Sequence, residues 1–337
     1  MIMAEERDKT ILVTGGLGFI GGHFIELAFS QGYNVINVDK ITYASDTAIN
    51  DVFLRNEPHR YRFFQKDVND LAELPYCGTI VHFAAESHVD NSIRDGDVFV
   101  RSNVLGTQNI LNLLVDARRR NVSHAWAIKL PMFIYVSTDE VFGDREQGFF
   151  KEEDRHNPSN PYSASKAMAE MLVASYGRTY GLPYMITRTA NNYGERQHQE
   201  KLIPHCIAQA LAGRKIKIHG SGTQSRTWIY VKDNCEAIWT VMTKGKPGET
   251  YHIASSEEYA VNDVARIVLE HFGRKLDRDT AEYVQDRSGQ DMRYALDYSK
   301  IANLGWTPRS QLTHHIKEVI RHYEEKYKKG HWPAKEA

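Results

Sequence analysis

The chain has few cysteines, few prolines and no long apolar run, and its charge is almost balanced. Cys77, Cys206 and Cys235 are far apart and lack CxxC spacing. An odd, scattered set argues against a disulfide framework and a cysteine-rich zinc site, and it fits a reducing compartment, so a cytoplasmic location is expected. No run approaches the ~18 apolar residues of a membrane span, and the polar first nine residues predict no secretory leader. Lys and Arg total 42 against 43 Asp and Glu, a formal net charge of -1. That balance provides no basic field for nucleic acid and no acidic excess of the kind that keeps chains disordered. Internal repeats and low-complexity linkers are also missing. The fifteen histidines are scattered; the adjacent His314 and His315 read as a helix surface, and no metal site is expected.

What is present is ordinary for a globular protein: 42% hydrophobic and 25% charged residues over 337 positions. That length suggests two domains, or one large domain with a lobe. The chain opens with a short apolar strand, Thr10-Ile11-Leu12-Val13-Thr14, followed by Gly15-Gly16-Leu17-Gly18-Phe19-Ile20-Gly21. Glycines at 15, 18 and 21 allow a tight turn, close approach to a diphosphate and close helix–strand packing. The helix expected over 19–31 points its N-terminal amides at that anion. A second strand, 34–38, ends at Asp39, whose carboxylate suits both hydroxyls of an adenosine ribose and would repel a 2′-phosphate. Strand, glycines, helix, strand and acid in this order predict a dinucleotide site that favours NAD over NADP.

Further strand–helix units follow, with strands expected at 61–65, 79–85, 132–137 and 183–188 and one long helix over 98–119. Arg118, Arg119 and Arg120 at its end suit a helix C-terminus. The connection 121–129, with Trp126, has no functional reading. The strand 132–137 leads into Thr138-Asp139-Glu140, and strand ends of parallel sheets open onto the ligand crevice. After Asn157-Pro158-Ser159-Asn160-Pro161 comes Tyr162-Ser163-Ala164-Ser165-Lys166, where Tyr162 and Lys166 share a helix face. An ammonium beside a phenol favours the phenolate, so the tyrosine pKa is expected to fall toward that of a useful base. Beyond residue 190 the elements are shorter and mixed, with helices expected at 201–212, 233–244, 261–272 and 312–328. The expected fold is therefore α/β, a doubly wound parallel (Rossmann) sheet with a smaller, mixed C-terminal substrate lobe. Residues 1–190 form the dinucleotide domain with the catalytic residues, and 191–337 the lobe, some segments of which return to the main domain.

These stretches, with Asp39-Lys40-Ile41-Thr42-Tyr43-Ala44, Phe83-Ala84-Ala85-Glu86-Ser87-His88-Val89-Asp90, Asn191-Asn192-Tyr193-Gly194, Glu200-Lys201-Leu202-Ile203-Pro204 and residues 286–294, carry a resemblance over nearly the whole chain. It resembles the extended short-chain dehydrogenases/reductases and, among them, the nucleoside-diphosphate-glucose 4,6-dehydratases, those for dTDP-glucose most closely. The adjacent Asp–Glu pair separates these from the related epimerases. The resemblance implies that Tyr162, aided by Lys166, takes the O4 proton and that Thr138 orients the sugar hydroxyl. Glu140 would then remove the C5 proton, and Asp139 would protonate the departing C6 hydroxyl. Two neighbouring carboxyls with opposite duties require separated pKa values, Asp139 neutral and Glu140 ionised. It assigns Phe19, Ile20, Asp39, Lys40, Thr42, Asp67, Val68, Phe83, Ala84, Ala85, Ser102, Tyr162, Lys166 and Asn192, beside Gly15, Gly18 and Gly21, to NAD. Ser87, Thr138, Asn191, Lys201, Leu202, Lys217, His219, Arg226, Asn262, Arg287 and Gln290 are assigned to the nucleoside-diphosphate hexose.

The chain departs from the usual pattern at Asn91, Phe142, 195–199, Thr227 and Gln290, which leaves dTDP or UDP as the base, and the hexose itself, open. A UDP-sugar 4,6-dehydratase and a C4-epimerase of the same fold are the alternatives. Apolar residues beyond one sheet-facing stripe, Leu105, Leu113, Val115, Met168, Met171 and Leu172, lie on helices that pair two subunits in resembling enzymes, so a homodimer is expected.

Overall fold

Thr10–Thr14 (β1) is buried along its whole length, as a central strand covered on both faces must be. The computed structural model describes residues 7–119 and 130–332; the connection 121–129, with Trp126, and Arg120 lie outside the described residues. After β1 come Phe19–Ser30 (α1), Asn34–Asp39 (β2), Thr47–Asn56 (α2), Tyr61–Gln65 (β3) and Thr79–His82 (β4). The short helices Val89–Arg94 (α3) and Gly96–Phe99 (α4) precede Gly106–Arg119 (α5), and Met132–Thr138 (β5), Pro161–Tyr180 (α6) and Tyr184–Thr189 (β6) follow.

Six of these strands and one from the second half, Thr250–Ile253 (β10), form a seven-stranded sheet in the order β10-β6-β5-β4-β1-β2-β3. Every pairing in it is parallel. The chain runs outward through β2 and β3, then restarts on the other side of β1 with β4. Such a switch of direction leaves a crevice outside the carboxyl ends of β1 and β4. Alternation along each strand sorts the core onto two faces: Ile11, Val13, Ile134 and Val136 join one cluster, and Leu12, Phe133 and Tyr135 the other.

The second half builds small sheets beside this crevice. Asn191–Tyr193 (β7) pairs with Ser225–Tyr230 (β9), which also pairs with Glu258–Ala260 (β11) and Arg293–Tyr294 (β13), while Ile216–His219 (β8) pairs with Ala281–Val284 (β12). The helices of this half are Leu202–Leu211 (α7), Val231–Lys244 (α8), Val261–His271 (α9), Ser299–Ala302 (α10) and Leu312–Lys328 (α11); α7, α9 and α11 pack on the small sheets, α8 on both these and the main one, and α10 on the main one. Among the described residues no helix is long and apolar enough to cross a membrane.

One expectation needs correction. The helix expected over 98–119 is not a single regular α-helix, because Val100–Leu105 between α4 and α5 is wound as a π-helix. There the buried Asn103 bonds both backbone groups of Glu86, accepting from its N–H at 2.8 Å and donating to its carbonyl at 3.0 Å. Wide turns of this kind recur at functional sites. Helix α6 has strong local determinants: Asn160 and Ser163 form a capping box, Pro161 occupies the first turn, and Gly181 ends the helix in the left-handed region at φ 62°. Arg118 reaches back to the carbonyl of Tyr180 at that end. Gly181→Ala should cost about 1–2 kcal/mol, the steric cost of a left-handed L-residue; urea unfolding at unchanged activity is the check.

Candidate functional site

The turn after β1 can exist only with glycine. A Cβ on Gly15, which has φ 72°, would stand 2.7 Å from the Ala84 nitrogen, and one on Gly21 would stand 2.3 Å from the Gly15 carbonyl. The N-terminus of α1 carries no side-chain cap, so its amides remain available to a diphosphate. This cradle fits a dinucleotide. Asp39, buried at the end of β2, accepts from the amides of Leu17 at 3.0 Å and Ile41 at 2.8 Å, which fixes its carboxylate at the rim. Ile41 itself has φ 60°, a conformation rarely taken by a β-branched residue and one that is over-determined here by Asp39. Lys40 bridges Ser102 at 3.0 Å, Glu86 at 3.3 Å and Asp67 at 3.7 Å.

The cleft continues to the end of β5. Thr138 donates to Asp139 at 3.1 Å and accepts from the Glu140 amide at 3.3 Å, which turns the chain so that both acids leave the strand side by side. Asp139 is buried, and its Oδ2 has no hydrogen-bond partner. Burial, reinforced by the charge of Glu140, pushes its carboxyl up to about 7. The Glu140 carboxyl is also raised by burial, against the pull of Arg226 and Lys201. Asp139 is therefore partly protonated near neutrality, where a carboxyl can both hold and give a proton.

Tyr162 and Lys166, one turn apart on α6, are both buried against this strand. The Lys166 ammonium donates to the Val136 carbonyl at 2.7 Å and lies 4.3 Å from the centre of the Tyr135 ring. The expectation of a lowered tyrosine pKa is not met in this ligand-free state. Burial, then the charges of Glu140 and Asp139, raise the Tyr162 phenol, while the Thr138 hydrogen bond pulls the other way. Lys166 is itself lowered to about 7 by burial, which Glu170 partly offsets.

Every residue expected to hold the dinucleotide lies in the cleft wall: Gly15, Gly18, Phe19, Ile20, Gly21, Asp39, Lys40, Thr42, Asp67, Val68, Phe83, Ala84, Ala85, Ser102, Tyr162, Lys166 and Asn192. Ser87, Thr138, Asn191 and Lys201 line it too, with Asp139 and Glu140 between the two sets. Seven residues expected at the substrate are not in that wall. Leu202 packs on the core, and Lys217 and His219 lie on β8, with His219 bonded to the Gln285 carbonyl at 3.2 Å. Asn262 bonds Ser221 and Tyr283. Arg226 caps the carbonyls of Ser225 and Asp291, yet its charge reaches both Asp139 and Glu140. Arg287 pairs with Asp90 at 2.7 Å, and Gln290 donates to the Asp291 carbonyl. Leu202 and Asn262 sit in the first turns of α7 and α9, Lys217, His219 and Arg226 on the small sheets, and Arg287 and Gln290 on the 286–294 segment.

Residue-by-residue reading missed His198, Glu200 and Glu86 in the wall, and Asn103, whose amide also donates to Ser165 between Tyr162 and Lys166 at 2.8 Å. Glu200 is held down to about 2: burial opposes this, but His198 and Lys201 prevail.

A glycine-cradled cleft at the switch point of a parallel sheet, with Tyr–Lys on a helix and paired acids at a strand end, defines an extended short-chain dehydrogenase/reductase site. The family model described as GDP-mannose 4,6 dehydratase matches residues 12–319, and the chain belongs to that family. It is 41% identical over 318 residues to the low-salt glycan biosynthesis protein Agl12 of Haloferax volcanii, covering 93% of this chain and 98% of that one. It is 39% identical over 341 residues to dTDP-glucose 4,6-dehydratase of Escherichia coli, covering 93% of each. The solved dTDP-glucose 4,6-dehydratase DesIV of Streptomyces venezuelae, with NAD bound, superposes with a TM-score of 0.88 at 38% identity, covering 96% of this chain and 98% of that one.

The Asp139 carboxyl yields a stability prediction. Its folded pKa is raised from 3.8 to about 7, so its stabilising protonated form is fully present below the unfolded value and lost as pH rises through the folded one. Asp139→Asn cannot ionise. Its melting temperature should match wild type near the unfolded pKa and exceed it by a margin that widens up to neutrality and is constant above. Thermal melts across that range are the check.

Proposed function

We propose that the chain is an NAD-dependent hydro-lyase that converts dTDP-glucose to dTDP-4-keto-6-deoxyglucose. The observation that carries this reading is the Asp139–Glu140 pair beside Tyr162, with the buried Asp139 carboxyl raised to about 7 and its Oδ2 unpartnered. An enzyme that only oxidises and re-reduces C4 has no use for a second, protonated carboxyl. The relatives named as dTDP-glucose 4,6-dehydratases support the substrate.

NAD, held by the Gly15–Gly21 turn, Asp39, Lys40, Asp67 and Ser102, supplies the hydride acceptor for C4 and the hydride donor for C6. The protein's groups move the protons. Tyr162 receives the O4 proton as C4 is oxidised, and the Thr138 hydroxyl orients O4 and stabilises charge on it. The C4 ketone makes the C5 proton acidic, and Glu140 takes it. Asp139 gives its proton to the C6 hydroxyl, which leaves as water, and C5 regains a proton as C6 receives its hydride. The positive nicotinamide ring of bound NAD would favour the Tyr162 phenolate, against the burial and the acid charges that raise its pKa here. Arg226 and Lys201, whose charges bear on Glu140 against its burial, favour its ionised form. The diphosphate is taken by Lys201 and the lobe residues around it, Arg287 among them.

We also propose a homodimer in the cytoplasm. Free, buried cysteines fit a reducing compartment. Val98, Val100, Leu105, Met168 and Met171 are exposed apolar residues on α4, on the π-helix that follows it and on α6, where such residues suit a partner surface. Val115, expected on that face, is buried in the subunit core instead. Light scattering at micromolar concentration should give twice the chain mass; a monomer would count against the dimer.

The function is tested with a panel of nucleotide sugars. dTDP-glucose should lose one water and give a 4-keto product, whereas C4 inversion without loss of water would mean an epimerase. Two variants separate the steps. Glu140→Gln should cost about a hundredfold or more in turnover yet still oxidise C4, so a borodeuteride quench should place deuterium at C4 of intact hexose. Tyr162→Phe should give neither labelled hexose nor product. Label with Tyr162→Phe but not with Glu140→Gln would reverse the two roles.

A further inference from the structure

A buried ion pair lies outside the cleft wall and joins the two catalytic segments. Glu170, one turn beyond Lys166 on α6, and Arg188, on β6, have side chains only 2% and 6% exposed. Arg188 donates from Nε to both Glu170 oxygens, at 3.2 and 3.0 Å, and from Nη2 at 2.8 Å. Its Nη1 donates to the Glu152 carbonyl at 2.9 Å. His156 stands 3.1 Å from Glu170 and 2.9 Å from Arg188. The guanidinium lies 4.7 Å from the centre of the Phe142 ring, which stacks on Phe150 at 4.6 Å and 10°. Phe142 ends the turn that begins with Asp139 and Glu140. One cation thus touches the helix of Tyr162 and Lys166, the turn of the two acids, and the loop between them. A phenylalanine at 142 offers Arg188 a bare π-face with no hydroxyl to satisfy.

We infer that Arg188 and Glu170 are positioning residues: their ion pair, with Phe142 stacked on its cation, holds Asp139–Phe142 and Pro161–Tyr180 at one separation and sets a carboxylate one turn behind the Lys166 ammonium. Burial alone would push the Glu170 carboxyl up, but His156 and Arg188 outweigh it and hold the group at about 2, so it stays charged. Lys166 faces Tyr162 and Glu170 on its own helix, Tyr135 of β5 and the acids beyond it, His82 of β4 and, behind Glu170, Arg188 of β6. His82 is held neutral, lowered to about 3 by burial and by Lys166 itself. Glu170 is the charge that raises Lys166 against its burial. Without it the ammonium loses its proton at lower pH, and an activity that needs that ammonium fails sooner as pH rises.

The kinetic arm of the test rests on the dehydratase reading. Removing one partner would leave a buried charge unpaired, so the test variant is Glu170→Gln/Arg188→Met, which removes both. It should melt close to wild type. With dTDP-glucose its KM should be unchanged, its kcat should fall at least about tenfold, within what an ångström of misplacement costs, and the alkaline limb of kcat should move about one pH unit toward acid. Hydrogen exchange of residues 138–143 in the substrate-free protein should rise at matched stability. Wild-type kcat, an unmoved limb and unchanged exchange in a stably folded variant would overturn the inference. Should the double variant fail to fold, Arg188→Lys decides. It keeps the charge but loses the planar fork, so kcat should fall about as far at unchanged KM, and wild-type kcat would overturn the inference. Exchange needs no turnover, so a wild type that yields no 4-keto product would sink the dehydratase reading and leave the exchange arm standing as the test of positioning.

Discussion

The bond from the Lys166 ammonium to the Val136 carbonyl, 2.7 Å long and buried, is the contact on which the site depends. It fastens α6 to the strand that ends in Thr138, and so brings a phenol and two carboxyls from separate stretches of chain into one cleft. It also takes a charge out of water, which is costly, and the chain offsets that cost locally. Tyr135 offers its ring to the ammonium, and Glu170 stands one turn away. Only a sheet covered on both faces supplies so dry a position, which is why β5 sits near the middle of seven parallel strands.

The same dryness sets the acid–base chemistry. Two adjacent carboxyls at the surface would both ionise at neutral pH. Here burial raises both, and Arg226, reaching in from the lobe, acts on each. The main sheet thus provides the low-dielectric floor and the lobe provides compensating cations. The glycine turn adds an anion cradle at the other end of one continuous cleft.

Much of this was legible in the sequence because its signals are local. Apolar runs, a glycine turn and the Asn-Pro stretch before Tyr162 each speak for themselves over a few residues. What was not legible depends on distant contacts. The π-turn at Asn103 answers to the backbone of Glu86, and the left-handed Ile41 answers to Asp39. The Glu170–Arg188 pair joins a helix to a strand with no motif at either residue, although Glu170 does continue the Tyr162–Lys166 spacing. The direction of the Tyr162 shift was misjudged because helix spacing shows the lysine but not the burial and the two carboxylates that outweigh it. The lobe residues were hardest to place, since their positions follow from small sheets assembled from scattered strands.

The central claim is that one cleft oxidises C4, eliminates water across C5 and C6, and returns the hydrogen to C6. Turnover of dTDP-glucose carrying deuterium at C4, followed by mass spectrometry and NMR of the product, tests this most directly. The account predicts a 4-keto-6-deoxy sugar with the C4 deuterium now at C6 and, in deuterated water, solvent deuterium at C5. Deuterium still at C4 of a hexose that retains its C6 hydroxyl would contradict it.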